Sequence, residues 1–516
     1  MLLSCLTLLP ILWLIVALVV LKIPGHIACL SALAVAAVLG ITLWHMPPSI
    51  AFTSILEGIA TALWPIILVI IAAIFVYNLS LKTGAMDVIK RMMTSVSADQ
   101  RILILLIGWC FGGFLEGMAG FGTAIAIPAS MLAGMGMNPI LACMVCMLAN
   151  SFPTAFGSVG IPTVTLSNVT GLDIMTLSFT TAMQMAPLMI LVPFLMVIVG
   201  GKGIKALRGM VGITLVSGLS FVVAELFVSK FLGAELTVIV GSVVALGCTL
   251  LMAKMRKNTP VPDEYNLSLG ENAKNEAELK SQMPPLIAWL PFILIFVLLM
   301  GTSKLVPPIN SALSVFKSSI QISTAASAGP TTFVWVNTPG IWIFAAALIS
   351  GMIQKTSGKL MWDTFLATVK QMTRTIITIM SVLAVAKIMT YSGMISDMAS
   401  LFVSLTGKYY PFVAPVIAAI GAFVTGSGTS TQVLLGRLQS EAALAIGASP
   451  FWLAGANAVG AGIGKILSPQ CIATAVAAVN LPGQDSVLLR SILKWAMLIL
   501  VLACLIVGLG QGFAPM

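Results

Sequence analysis

Residues 112–162 read GGFLEGMAGFGTAIAIPASMLAGMGMNPILACMVCMLANSFPTAFGSVGIP. The stretch is apolar enough for a bilayer, yet it carries an acid, Glu116, inside a glycine cluster. It ends in a polar break bounded by prolines, from Asn150-Ser-Phe-Pro153 to Gly157-Ser-Val-Gly-Ile-Pro162. Hydrocarbon offers no water to unpaired backbone groups. Irregular backbone at that depth is therefore tolerated only where it is buried in protein or lines a polar cavity. An ionisable residue beside such backbone is a functional-site candidate.

This stretch has a counterpart. Gly421-Ala-Phe-Val-Thr-Gly426 echoes Gly112-Gly-Phe-Leu-Glu-Gly117, and Asn457 to Pro469 echoes Asn150 to Pro162 at a constant offset of 307 residues. Paired interrupted segments in the two halves of a chain point to a transporter's binding site.

Composition sets the class. The 516 residues are 59% hydrophobic and 8% charged, with a mean hydropathy of +1.09. A soluble domain carries roughly 25% charged residues, so the chain reads as an all-α polytopic membrane protein with the lipid bilayer as a partner. In a soluble protein the net charge of +10 would suggest nucleic acid; here it follows from basic cytoplasmic loops, and no nucleic-acid partner is expected. Cys143-Met-Val-Cys146 has the CxxC spacing, but no second pair or histidine lies nearby, and His26 and His45 sit at segment ends. No metal or cofactor is expected, because the ligand set such sites need is missing. Without a His, Cys or paired-carboxylate constellation, the chain does not read as an enzyme.

A spanning helix needs about 20 apolar residues. By that rule the spans are 7–22, 27–45, 61–78, 139–170 (broken), 175–200, 208–229, 235–252, 285–301, 340–352, 374–392, 450–480 (broken) and 490–512. Two segments remain, 102–137 and 411–447, each with two apolar arms around a glycine-rich centre. They read as re-entrant hairpins. The prediction is thus about twelve transmembrane helices plus two hairpins.

Lys and Arg test this layout. With both hairpins re-entrant, nineteen of them fall on one side and four on the other, while Lys387, Arg437 and Lys465 stay within apolar segments. If one hairpin crossed instead, every later loop would change side and the bias would largely cancel. The bias puts both termini outside and loops 79–101, 201–208, 253–284 and 353–373 in the cytoplasm. The halves then form an inverted-topology repeat. Residues 1–200 are the first repeat, 201–284 two linking helices and a charged cytoplasmic connector, and 285–516 the second repeat. Residues 302–338 read as an outside loop.

The chemistry concentrates at the breaks. Low dielectric disfavours the charged form of an acid, so Glu116, at the first hairpin tip, is the candidate coupling-proton site; the alternative is a carboxylate capped by hairpin backbone. Lys465, in Gly462-Ile-Gly-Lys465-Ile-Leu-Ser-Pro-Gln470, suits a carboxylate ligand, or else a partner for Glu116 or backbone carbonyls. Neutral donors are Asn150, Ser151, Thr154 and Ser158 at one break and Asn457, Ser468 and Gln470 at the other. The second tip, Thr425-Gly-Ser-Gly-Thr-Ser-Thr431, contributes Ser427 and Thr429. Half-helix N-termini favour anions there; the plainer reading is that these side chains only recap broken helices. Arg437 and Glu441, four apart, should pair with each other, and Glu225 lies within reach of Lys230.

Several motifs together resemble one family. Gly113-Phe-Leu-Glu-Gly-Met-Ala-Gly-Phe-Gly122, Ala149-Asn150, Ala155-Phe-Gly157, Gly426-Ser-Gly-Thr-Ser-Thr-Gln432 and Gly464-Lys465-Ile-Leu-Ser-Pro-Gln470 look like the bacterial L-lactate permease family. Trp64-Pro-Ile to Tyr77 and Asp99-Gln-Arg101 match as well, so the similarity covers nearly the whole chain. The resemblance implies a proton symporter of L-lactate, D-lactate and glycolate in the bacterial cytoplasmic membrane. It also implies an elevator-type carrier, with a homodimer among the assemblies it allows. A sodium-coupled carboxylate carrier is the alternative.

Overall fold

The structure, a computed structural model, describes residues 6–514 apart from 18–20, 22, 95, 119, 121, 257–258, 268–282, 304–305, 327 and 482–483. Lys22, Lys257, Lys274, Lys280 and Lys304, and the acids Glu271, Glu276 and Glu278 of the connector, lie outside the described residues.

Ten helices are long and apolar enough to cross a membrane, or twelve if two bent pairs each count as one span. The bent pairs are the two broken segments read from the sequence. Pro139–Asn150 and Pro153–Thr170 meet at 55°, and Pro450–Leu467 and Pro469–Ala478 at 52°. The arms of the first hairpin are Gln100–Met118, wholly buried, and Thr123–Gly134. Twelve residues reach only about 18 Å at helical rise, too short to recross a hydrocarbon core of about 30 Å. The second hairpin has arms Tyr410–Thr425 and Gly428–Ala445, separated by Gly426 in the left-handed region at φ 64°.

Several bounds differ from the hydropathy reading. The helix expected at 61–78 runs over Pro48–Lys82 with an interruption at Trp64-Pro65, and the one expected at 374–392 runs over Gly358–Tyr391. The added turns carry Glu57, Lys359, Asp363 and Lys370. Hydropathy registers the apolar part of a helix, whereas backbone hydrogen bonding continues into the polar part. Residues 7–22 hold only the short helix Leu9–Ile15 among described residues that meet helical criteria throughout. The outside loop is not all coil: helix Pro307–Ser314 precedes a two-stranded antiparallel ribbon, Lys317–Ile320 with Thr331–Val334.

The helices pack as two groups. Gly25–Thr42, Pro48–Lys82, Pro285–Thr302, Pro339–Ile353 and Gly358–Tyr391 pack on one another. The second group holds both hairpins and both broken helices, with Ile174–Gly200, Val211–Phe231, Thr237–Met255 and Asp485–Leu509. Within it the packing is reciprocal. Gly157–Thr170 of the first broken helix lies on arm Gly428–Ala445 of the second hairpin. Pro469–Ala478 of the second broken helix lies on arm Thr123–Gly134 of the first hairpin. Helix Pro450–Leu467 threads this group on a glycine face: any Cβ at Gly462 would overlap the Ser151 carbonyl, and at Gly464 the Ala419 carbonyl.

Lys387 finds its partner in the first group. Its Nζ donates to Glu57 Oε1 at 2.5 Å, and the Tyr391 hydroxyl donates to Glu57 Oε2 at 2.9 Å. Glu57 is 2% exposed, and nothing in its spacing relates it to Lys387, 330 residues away. Arg437 and Glu441 pair as expected, Nε to Oε1 at 3.0 Å. Glu225 and Lys230 do not: Lys230 lies over the rings of Phe179 and Phe231, and buried Glu225 Oε1 has no hydrogen-bond partner among the described residues. Glu225 faces protein, and the lysine's long stem follows apolar surface outward instead.

Removing one member of a buried pair leaves an uncompensated charge, at a cost of about 3–5 kcal/mol. Lys387→Met is therefore expected to lower the thermal denaturation midpoint in detergent strongly, and adding Glu57→Gln should recover part of the loss. An unchanged midpoint in Lys387→Met would show that the pair contributes nothing.

Candidate functional site

A cavity of about 630 Å³ lies between the two helix groups. Its floor is built by the breaks. The second hairpin contributes Thr425 to Ser430, the second broken helix Lys465 and Ser468 to Cys471, the first hairpin Glu116, Gly122 and Thr123, and the first broken helix Thr154, Gly157 and Ser158. The opposite wall is helix Gly358–Tyr391, with Ile74 and Tyr77 beside it.

The centre is an ion pair. Lys465 Nζ donates to Glu116 Oε1 at 2.9 Å and to Thr154 Oγ1 at 2.9 Å. Asn150 Nδ2 donates to Glu116 Oε2 at 2.8 Å, and the Thr154 hydroxyl donates to the Asn150 carbonyl at 2.8 Å. Glu116 is 2% and Lys465 8% exposed. The first broken helix makes this possible by unwinding. Pro153–Phe156 forms a single 3-10 turn, and Ser158, Val159 and Gly160 take left-handed conformations at φ 45°, 59° and 75°. That turn swings Thr154 and Gly157 onto the carboxylate.

Helix N-termini surround the pair. Gly428–Ala445 begins at Ser427, whose hydroxyl accepts from Ser430 N at 3.2 Å, and Pro469–Ala478 begins at Ser468, whose hydroxyl accepts from Cys471 N at 3.2 Å. Thr123–Gly134 begins at Gly122 on the cavity wall. N-terminal N–H groups carry partial positive charge. Both serine hydroxyls accept as caps, and neither has an acceptor for its own proton among the described residues. A cap and a ligand contact are therefore compatible in one side chain.

Of the residues singled out from sequence, Glu116, Thr154, Ser158, Ser427, Thr429, Lys465, Ser468 and Gln470 line the cavity. Asn150, Ser151 and Asn457 do not. Asn150 stands behind Glu116 and orients it. Ser151 is fully buried and donates to the Leu148 carbonyl. Asn457 lies within a continuous helix, eleven residues before the second break, and donates to Gln432 Oε1 at 2.7 Å. Each asparagine thus ties a broken helix to its own hairpin. The sequence reading missed the opposite wall: Gln371, Arg374, Thr375 and Thr378 line the cavity from a helix without any break. Their spacing of three and four is the one signal that puts them on one helix face.

The family model described as L-lactate permease matches residues 4–511. An L-lactate permease of Streptococcus iniae is 41% identical over 451 residues, 87% of this chain and 93% of that protein. The glycolate permease GlcA of Escherichia coli is 34% identical over 521 residues, 95% of this chain and 92% of that protein. Among solved structures, the YdaH transporter of Alcanivorax borkumensis covers 90% of this chain and 88% of its own at 15% identity, with a TM-score of 0.49.

Gly157 tests the geometry of the pair. Its φ of −63° and ψ of 160° suit any residue, but a Cβ there would stand 2.7 Å from Glu116 Oε1. Overpacking of this kind costs about 1–3 kcal/mol. Gly157→Ala is expected to weaken substrate binding about tenfold while the protein still folds. Unchanged affinity in a folded variant would mean that the carboxylate has room to move aside.

Proposed function

Because the chain belongs to the L-lactate permease family, we propose that it is a secondary carrier for L-lactate and related 2-hydroxy monocarboxylates, D-lactate and glycolate, with a proton as the coupling ion. The observation that carries this reading is the buried Glu116–Lys465 pair at the floor of a cavity ringed by helix N-termini.

The single positive charge of Lys465 balances one carboxylate. With Glu116 ionised, Lys465 is taken. A proton on Glu116 ends the ion pair and releases Lys465 for the carboxylate of the substrate. Ser427, Thr429, Ser468 and Gln470, with the adjoining N–H groups, then bind the carboxylate and the 2-hydroxyl. Charge decides which states can move. The empty site has one acid and one base and is neutral. The loaded site has neutral Glu116, Lys465 and one anion, and is also neutral. Proton without anion, or anion without proton, leaves a net charge in low dielectric, which costs several kcal/mol. Only the empty and fully loaded sites cross readily, so one proton accompanies one anion.

Alternating access fits the two packing groups, the hairpin group moving against the other as a two-state equilibrium biased by ligand. The cavity mouth is lined by His26, Gln371 and Arg374, on the side that the Lys/Arg bias assigns to the cytoplasm. On this reading the conformation is inward-facing, in the bacterial cytoplasmic membrane.

Glu116→Gln holds the side chain neutral and keeps Lys465 free. Purified variant and wild type in proteoliposomes are expected to exchange L-lactate across the membrane at comparable rates, while the variant loses net uptake driven by a pH gradient. Normal proton coupling in the variant would remove Glu116 from the coupling role. Uptake in wild type that ignores the pH gradient and follows a sodium gradient would replace proton coupling with sodium coupling.

A further inference from the structure

Three charged side chains line the cavity among the described residues: Glu116, Lys465 and Arg374. The first two neutralise each other at the floor. Arg374 is exposed and has no acidic partner among the described residues, whereas Arg101 pairs with Asp99 and Arg437 with Glu441. The cavity therefore carries one uncompensated positive charge, and it belongs to the wall rather than to the hairpins.

Arg374 is part of a built face. Gln371, Arg374, Thr375 and Thr378 stand at i, i+3, i+4 and i+7 along helix Gly358–Tyr391, so they share one side of it. Gln371 is held in place. Asn78 Nδ2 donates to Gln371 Oε1 at 2.9 Å, and also to Thr368 Oγ1 at 2.9 Å. With its carbonyl oxygen engaged, Gln371 keeps its amide N–H groups free to donate on the helix face that also carries Arg374. A planar cation with an adjacent fixed donor matches a carboxylate, which accepts two parallel hydrogen bonds from arginine. A charge in a cleft with low-dielectric walls also focuses the field and raises the local concentration of the opposite ion.

We infer that Arg374 and Gln371 form a second carboxylate station at the inner mouth of the cavity, where the substrate anion rests between Lys465 and the solution on that side. The station sits on the wall group and Lys465 on the hairpin group. It is therefore present only while the cavity is open toward this mouth, and it sets the affinity from one face of the membrane alone. This inference rests on the monocarboxylate-carrier reading above.

The test is sided transport of L-lactate by Arg374→Gln, Arg374→Lys and wild type, in vesicles of both orientations. In Arg374→Gln the KM for lactate supplied from the mouth side is expected to rise about tenfold, the scale of a lost charge-assisted hydrogen bond. The KM from the opposite side should stay within twofold of wild type, and Arg374→Lys should recover much of the mouth-side affinity. Raising ionic strength should slow mouth-side uptake in wild type and leave Arg374→Gln flat, because a screened steering charge loses its reach. An unchanged mouth-side KM, or an equal rise from both sides, overturns the station. Normal proton coupling in Glu116→Gln, with the sided affinities intact, would strike the coupling scheme and spare Arg374. Absence of lactate flux in wild type from either face would overturn both the carrier reading and the lactate assignment of this station.

Discussion

Two charges out of water must satisfy each other, and Glu116 and Lys465 can do so only at one geometry. They lie 349 residues apart, one in each half of the chain. A carboxylate and an ammonium in a low-dielectric interior lose more hydration than their attraction returns unless the remaining donors and acceptors are also engaged. Asn150 and Thr154 complete that set. Asn150 reaches Glu116 from the last turn of Pro139–Asn150, and Thr154 from the 3-10 turn that follows the break. The second broken helix comes within touching distance of the backbone at the first break, where Gly462 leaves the room, and Gly464 does the same against the second hairpin arm at Ala419. The first break, Gly462 and the first hairpin tip all meet at this one buried pair.

The charge layout also respects the division into two packing groups. Of the four ion pairs among the described residues, Arg101–Asp99, Arg437–Glu441 and Glu116–Lys465 lie within the hairpin group and Glu57–Lys387 within the other. None crosses between the groups. Each group is tied together by its own buried pair, and no described ion pair has to break where the groups meet. The cavity opens along that seam, its floor from one group and its wall from the other.

The two break sites are alike in layout and unequal in chemistry. Asn150 and Asn457 share the offset read from sequence, and each holds its own hairpin. The first hairpin answers with a carboxylate, the second with the amide of Gln432 and a hydroxyl-rich tip. One half supplies the acid and the other the base and the capped N-termini, so the cavity is lopsided in charge although its backbone is built in pairs.

Much of this was legible in the sequence. Apolar length marked the spans, glycine-rich centres marked the hairpins, and Pro153, Pro162 and Pro469 marked the breaks, because each is a local property of the backbone. Glu116, Lys465, Ser427, Ser468 and Gln470 stood out for the same reason: polar groups inside apolar stretches need partners. What the sequence left open were the partners themselves. Whether Lys465 would meet Glu116, backbone carbonyls or an anion depended on distances across hundreds of residues. Glu57 lay outside every span read from the sequence, Lys387 sat in a segment with no visible break, and Arg374 sat at the polar end of a helix, where a basic residue is ordinary. Local sequence determines which groups must not be left alone in a membrane. Only the tertiary structure decides who accompanies them, because a buried charge is settled by the few ångströms around it and not by its neighbours along the chain.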